Sequence, residues 1–352
     1  MSQDVKTLCA TDEYSFRDIM GLIDRGGIGI ALIVDSDGVL LRTITDGDLR
    51  RAILKGFDLN TVLSDLPRNE HPAITAPVST PVEQQQWIMR NRCIRHLPLL
   101  NADGTVAGLA QATEYIADRL TLQAVIMAGG FGTRLRPLTD ATPKPMLQIG
   151  GKPLMQRTIE NLQRSGINRI HVTTHYLPEK ITGHFGNGHQ FGVDINYVTE
   201  DVPMGTAGAL RLLGHIDEPL LVINGDILTH VDFGSLSRFH QEHEAALTVA
   251  VRQYDVQVPY GVVESSDGIV HSLREKPRFH FQVNAGIYQL EPSVCQYIPK
   301  DGRYDMTDLI EVLLQNNETV VGFPITEYWL DIGQHDDFRQ AQEDVTQQRW
   351  AA

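Results

Sequence analysis

Residues 122–145, LQAVIMAGGFGTRLRPLTDATPKP, constrain the fold more than any other part of the chain. They open on an apolar run, 124–128, with no polar alternation, the pattern of a strand buried on both faces of a parallel sheet. The run ends on Gly129, Gly130 and Gly132, and two cations, Arg134 and Lys144, follow among Pro137, Pro143 and Pro145. Glycines let backbone come close to a ligand and turn several N–H groups towards one anion, and fixed cations neutralise the remaining charge. A strand that empties into such a loop predicts a polyphosphate cradle at the carboxyl edge of a sheet. The pattern G-G-x-G-T-R is neither the dinucleotide fingerprint G-x-G-x-x-G nor a P-loop, which ends Gly-Lys-Ser/Thr.

Beyond the loop, apolar runs alternate with helical stretches. Strands are predicted at 170–174, 195–199, 220–224, 247–251, 260–264 and 283–289. Helices are predicted at 154–165, 206–213, 233–243 and 307–315. This alternation implies an α/β fold, a mostly parallel twisted sheet with helices on both faces, Rossmann-like in plan.

The 352 residues suggest two domains, and a hydrophobic content of 42% excludes a disordered chain. The apolar runs are too short to span a membrane, and no secretory signal opens the chain. Cys9, Cys93 and Cys295 are too scattered for a disulfide framework or a zinc site, so a reducing cytoplasm is expected. The formal net charge of −14 argues against a nucleic-acid binder. Charge is nevertheless local: residues 129–153 carry Arg134, Arg136, Lys144 and Lys152 against Asp140 alone, 4 − 1 = +3. The thirteen histidines form no HExxH metal site, and His171, His175, His184 and His189 are read as surface or loop residues. No serine lies in a G-x-S-x-G nucleophile elbow.

Residues 1–118 contain a repeat. A shift of about 66 brings Ile28 onto Ile94, Asp37 onto Asp103 and Gly38 onto Gly104, giving copies at roughly 1–60 and 61–118. Each copy has a helical stretch, an apolar strand and an Asp-Gly turn suited to a tight reversal between paired strands. Neither copy is large enough to bury both faces alone, so the two are expected to pack as one α+β unit. This half resembles a tandem pair of CBS domains, most closely in LLRTITDGDLRRAIL, where Thr45 and Asp48 match the family's Thr/Ser-x-x-Asp element. The resemblance implies an adenine nucleotide site, with the Asp on the ribose. The residues alone equally suit a helix cap. The second copy departs from the pattern, with Gln111 and Glu114 at those positions, and Arg42 replaces the small residue usual before the motif.

Residues 119–352 resemble the sugar-1-phosphate nucleotidyltransferases, or NDP-sugar pyrophosphorylases. The glycine loop with Arg134, PLT and PKP carries the likeness, followed in order by PMGTAGAL, VINGDIL, YGVVE, REKP, NAGIY and YWLDIG. The resemblance implies a GT-A-like fold and transfer of a nucleoside monophosphate from an NTP to a sugar 1-phosphate. It implies that Ala128, Gly129, Gly130, Gly132 and Thr133 hold the triphosphate while Gly205, Thr206 and Ala207 pack against the base. It implies that Arg134 and Lys144 stabilise the leaving pyrophosphate and Lys276 the attacking phosphate. Gly261, Glu275, Asn284 and Gly286 would line the sugar, and Asp226 with Asp331 would hold Mg²⁺.

GTAGA after Glu200-Asp201 resembles members that use GTP with mannose- or heptose-type 1-phosphates. A CBS pair on such an enzyme also resembles those that activate glucosamine 1-phosphate for nonulosonic acid synthesis. UTP, dTTP or CTP stand as alternatives, as do an inactive nucleotide-sensing protein and transfer to a non-sugar phosphate. CBS pairs commonly associate face to face, so a homodimer or larger homo-oligomer is expected.

Overall fold

A computed structural model describes residues 5–65, 73–92, 94–112 and 122–347. Glu114, Cys93 and the expected boundary at 118/119 lie outside the described residues. The chain packs as two compact units, Met1–Asp118 and Arg119–Ala351. Among the described residues, no helix is long and apolar enough to cross a membrane.

The first unit holds two copies of one motif. The first copy runs β1 (Cys9–Ala10), α1 (Phe16–Gly26), β2 (Ile30–Val34), β3 (Leu40–Thr45) and α2 (Asp46–Leu54). The second runs β4 (Ala76–Pro77), α3 (Val82–Asn91), β5 (His96–Leu100) and β6 (Val106–Gln111). Element starts pair as Phe16 with Val82, Ile30 with His96 and Leu40 with Val106, an offset of 66 each time. Each copy makes a three-stranded sheet, β1-β2-β3 and β4-β5-β6. The Asp-Gly turns join them reciprocally: Leu40 N donates to Gly104 O at 3.2 Å, and Val106 N to Gly38 O at 3.1 Å. Gly38 and Gly104 sit at φ +83° and +82°, which a residue with a Cβ adopts only under strain. A shared apolar patch, with Leu8, Ile30 and Leu32 packed against Val106 and Leu109, closes the unit.

In the second unit, seven strands form the central sheet. They belong to the series β7 (Gln123–Met127), β8 (Gln148–Ile149), β9 (Lys152–Pro153), β10 (Arg169–Thr174), β11 (Asp194–Thr199), β12 (Leu220–Asn224), β13 (Ile227–Thr229), β14 (Leu247–Gln257), β15 (Val262–Ser266), β16 (Ile269–Arg274), β17 (Arg278–Leu290), β18 (Val320–Pro324) and β19 (Trp329–Asp331). The sheet order is β11-β10-β7-β12-β17-β14-β18. All neighbours are parallel except β17, which runs antiparallel to both β12 and β14. The fold is thus mixed α/β with a parallel-rich sheet.

Along β7 the side chains alternate between two cores. Ala124 and Ile126 face α4 (Leu154–Arg164), α5 (Pro178–Phe185) and α6 (Phe233–Glu242) through Met155, Ile159, Phe185 and Phe239. Val125 faces the opposite core with Val222, Leu210 and Met306, Leu309 and Leu313 of α7 (Met306–Gln315). A strand buried on both faces needs apolar residues at every position, which is what residues 124–128 supply. Helix α8 (His335–Thr346) closes the unit.

The expected strand at 260–264 is instead Val262–Ser266, paired only with β16 in a hairpin outside the main sheet. The expected helix at 206–213 is a tighter 3₁₀ turn, Gly208–Leu213. Beyond Val251 and Val283, β14 and β17 continue as a two-stranded ribbon, Arg252↔Val283 to Gln257↔Arg278, whose Tyr254, Val256 and Phe281 are exposed.

Candidate active site

The carboxyl ends of β7 and β12 frame a cavity of about 310 Å³. Its walls include Ala128, Gly129, Gly130 and Lys144 from the glycine loop, Gly205 and Thr206, and Asp226. Two glycines at this edge, Gly225 and Gly132, are required by contact. A Cβ on Gly225 would lie 2.5 Å from Met127 O, because Gly225 N donates to that carbonyl at 2.9 Å where β7 and β12 end together. A Cβ on Gly132, at φ +62°, would lie 2.9 Å from Thr139, whose hydroxyl donates to Gly132 O at 2.8 Å.

Lys144 is buried and its Nζ donates to Asp226 Oδ2 at 2.6 Å. Asp331 stands beside this pair because β13 and β19 run antiparallel with Ile227 opposite Asp331, and Ile332 N donates to Asp226 O at 3.0 Å. Partial burial and then the nearby Asp226 charge push the Asp331 carboxyl up, while Lys144 and Arg134 pull it down. Arg134 is exposed and outside the cavity wall; its guanidinium approaches Gly333, next to the Asp331 strand end. Two carboxylates and two cations therefore cluster at one rim. Two carboxylates, with substrate oxygens completing the shell, fit a hard divalent cation such as Mg²⁺. Among the described residues no three or more His, Cys, Asp and Glu gather into a denser metal site.

The loop at Gly205 is clasped to residues a hundred positions on. Ala207 N and Gly208 N donate to Tyr304 O at 3.0 and 2.8 Å, and Tyr304 N donates to Met204 O at 2.8 Å. Thr206 N donates to Asp305 Oδ1 at 3.2 Å, and Met306 N donates to Thr206 Oγ1 at 2.9 Å. Thr206 therefore helps start α7 rather than a helix of its own. Ala207 is fully buried and supports the loop from beneath.

Other site candidates fall elsewhere. Thr133 is exposed in a short 3₁₀ turn, Thr133–Leu135. Gly261 and Glu275 are neighbours on the hairpin, where a Cβ on Gly261 would lie 3.1 Å from Glu275 Oε2. Lys276 follows at φ +45° and is exposed. Asn284 Oδ1 accepts from Gly286 N at 3.0 Å on β17. None of these lines the cavity. In the first unit, Thr45 and Asp48 form a reciprocal helix cap: Asp48 N donates to Thr45 Oγ1 at 3.3 Å, and Thr45 N to Asp48 Oδ2 at 2.9 Å.

The cavity also includes residues that motif reading passed over: Phe131, Thr173, Asn224, Arg303 and Asp305. Only Asp305 had a local signal, an Asp three residues ahead of Asp308 before an apolar helix. Glu200, noted in the sequence only as a neighbour of GTAGA, is buried in the cavity wall and accepts from Met204 N at 2.9 Å. His175 is not a loose surface residue either. Its Nδ1 lies 2.7 Å from Glu200 O, and its ring meets Phe131 edge to face under the glycine loop.

The sequence pattern of the Nucleotidyl transferase family matches residues 123–348. The chain belongs to that family. It is 32% identical over 227 residues to a mannose-1-phosphate guanyltransferase of Candida albicans and 33% identical over 227 residues to that of Schizosaccharomyces pombe. Each alignment covers 62% of this chain, and the chain spans 62% of the length of those curated relatives. Among solved structures it is similar to HddC from Yersinia pseudotuberculosis, at 27% identity and a TM-score of 0.51, over 63% of this chain and 99% of that one. HddC complexed with GMP-PN matches at 26% identity and the same TM-score.

Proposed function

We propose that this protein transfers GMP from GTP to a sugar 1-phosphate, giving a GDP-sugar and pyrophosphate. The observation that carries the proposal is one cavity bounded by the glycine loop, the Lys144–Asp226 pair and the clasped Gly205 loop. That is a triphosphate cradle, a charged reaction centre and a flat wall of small residues in one enclosure. The relatives named for guanylyl transfer support GTP. So does Glu200: a buried carboxylate is an acceptor, suited to the adjacent N1–H and N2–H donors of guanine.

In-line attack of a sugar-phosphate oxygen on the α-phosphorus needs two polyanions aligned and their charge offset, with little covalent work from the protein. The glycine-loop N–H groups and Lys144 would hold the triphosphate, with Arg134 at the rim facing the leaving pyrophosphate. Lys276 would steady the attacking phosphate, and Glu275 would accept from sugar hydroxyls. Mg²⁺ held by Asp226 and Asp331 would supply further neutralisation of phosphate charge.

For the first unit, the repeat and the Thr45–Asp48 element support a CBS pair that serves as a regulatory or homodimer platform. A homodimer would be seen by light scattering at micromolar protein, and a monomer there would remove this part of the proposal. The main test is pyrophosphate release across GTP, UTP, dTTP and CTP, each with mannose, heptose and glucosamine 1-phosphates. Preference for GTP is expected. Turnover with another NTP alone would overturn the base assignment, and no turnover with any pair would overturn the reaction.

A further inference from the structure

Tyr176 lies just past the carboxyl end of β10 and outside the cavity wall. Its side chain meets the glycine loop at both ends. The ring lies 5.6 Å from that of Phe131, a cavity-wall residue at the start of the loop. The hydroxyl donates to Asp140 O at 2.8 Å, with Thr139 O also in reach at 3.2 Å, at the end of the loop. Thr139 links the two ends directly, since its own hydroxyl donates to Gly132 O at 2.8 Å. The loop is thus drawn in at a neck, and Arg134 stands in the stretch that the neck encloses.

The backbone is strained where it delivers this side chain. Leu177 has φ +48° and ψ +52°, a left-handed conformation that a bulky residue adopts against a steric penalty, and Pro178 follows at once. Such strain persists where neighbouring contacts over-determine it, and it gathers where geometry serves function. The contacts beside Leu177 are those of Tyr176 with the loop and of His175, whose Nδ1 lies 2.7 Å from Glu200 O. On its other side the loop is held by Leu135, which is fully buried, and by His335, whose Nε2 lies 2.9 Å from Arg136 O. Those two hold the middle of the loop and Tyr176 holds its neck. Arg134 is exposed, so its place is set by the loop backbone more than by packing around its own side chain. A cation offsets transition-state charge efficiently only when it is held in place beforehand.

We infer that Tyr176 is a positioning residue, whose hydroxyl closes the neck of the glycine loop and so fixes where Arg134 stands at the rim of the site. The inference rests on the proposed reaction and on the part of Arg134 in it.

Tyr176→Phe keeps the ring against Phe131 and removes the hydroxyl. Tyr197→Phe is the control: Tyr197 on β11 also donates its hydroxyl to a backbone carbonyl, Gly186 O at 2.7 Å, and lies outside the cavity wall. Pyrophosphate-release kinetics and thermal melts are run on wild type, both single variants, Arg134→Ala, and Tyr176→Phe combined with Arg134→Ala. In Tyr176→Phe, kcat falls about tenfold, the scale for misplacing a reacting group by a fraction of an ångström, while the KM for GTP stays within about threefold of wild type. Tyr197→Phe turns over as wild type does, and the two tyrosine variants melt within about 2 °C of each other. In the Arg134→Ala background there is no guanidinium left to place, so adding Tyr176→Phe changes kcat by less than about twofold.

Wild-type kcat in Tyr176→Phe overturns the inference. The same tenfold fall in both backgrounds also overturns it, because the hydroxyl would then act independently of Arg134. Activity that drops in step with melting temperature across both tyrosine variants would assign Tyr176 to the fold instead. No turnover by wild type with any pair of substrates brings down the parent reading, and the inference with it.

Discussion

Replacing Gly205 with alanine tests whether the loop clasp shapes the nucleotide wall. Gly205 has φ +82°, and an added Cβ would lie 2.5 Å from Tyr304 O and 2.6 Å from Asp305 Oδ1. Gly166, just after α4, has φ +81° with nothing within 4 Å of its added Cβ. Both substitutions incur the left-handed penalty, about 1–2 kcal/mol. Gly205→Ala adds a clash with backbone, which cannot swing aside, and overpacking of that kind costs about 1–3 kcal/mol more. Relief needs the loop to move about 1 Å, the gap between 2.5 Å and an ordinary contact. The loop cannot move without stretching the bonds from Ala207 N and Gly208 N to Tyr304 O. A shift of about 1 Å at a substrate-positioning wall lowers kcat/KM for the NTP by about 10- to 100-fold. Urea denaturation of both variants beside wild type, with steady-state kinetics against NTP, reads both effects. If Gly205→Ala is no less stable than Gly166→Ala and its nucleotide kinetics match wild type, the clasp does not shape the site.

Arg134→Ala and Asp226→Ala are each expected to cut turnover by at least about 100-fold, the scale for losing one preorganised charge; near-normal turnover in both would refute their roles. His240 is buried, with Nδ1 at 2.8 Å from Thr248 Oγ1 and Nε2 at 3.1 Å from Glu291 Oε1. Burial holds its pKa below 6.5 although Glu291 pulls it up, so its contribution to stability is present above 6.5 and is lost as pH falls below it. Melting temperature measured from pH 8 to pH 5 should therefore fall less in His240→Gln than in wild type, and parallel curves would count against the assignment. At the first unit, calorimetry with AMP and ATP should give binding heat that Asp48→Ala abolishes; no heat with wild type would leave Thr45 and Asp48 as a helix cap alone.

How much of this was legible in the sequence depends on how far apart the deciding residues lie. The strand at residues 124–128 could be read because burial on both faces writes itself into every position. The 66-residue repeat could be read because each copy meets the same local demands, down to the turn glycines. Helix α5 gave little sign: it has eight residues, begins with Pro178 and contains Gly183. The outer halves of β14 and β17 were missed for a different reason. Past Val251 the ribbon leaves the sheet, so the continuous apolar run becomes an alternation of Tyr254 and Val256 with Gln253, Asp255 and Gln257. The run at 260–264 reads as a sheet strand because a short apolar segment carries no information about which strand it will pair with.

The site divides along the same line. Thr206 opens the helix expected at 206–213, but its hydroxyl accepts from Met306 N at the start of α7 rather than from the turn that follows it. Asp226 and Asp331 stand 105 positions apart, and no spacing rule connects them. They meet because β13 follows directly after the end of β12 and takes β19 as its partner, which sets Asp331 opposite Ile227. Asn224 is legible only as the last residue of the strand predicted at 220–224, and its sequence neighbours do not mark its side chain. Only the packed structure reveals that its acceptor is buried in a cavity wall with no hydrogen-bond partner among the described residues. Motif reading finds residues whose neighbours in sequence explain them. The residues it passes over are those explained by a strand a hundred positions away or by a ligand, and that is where the specificity of this site is to be sought.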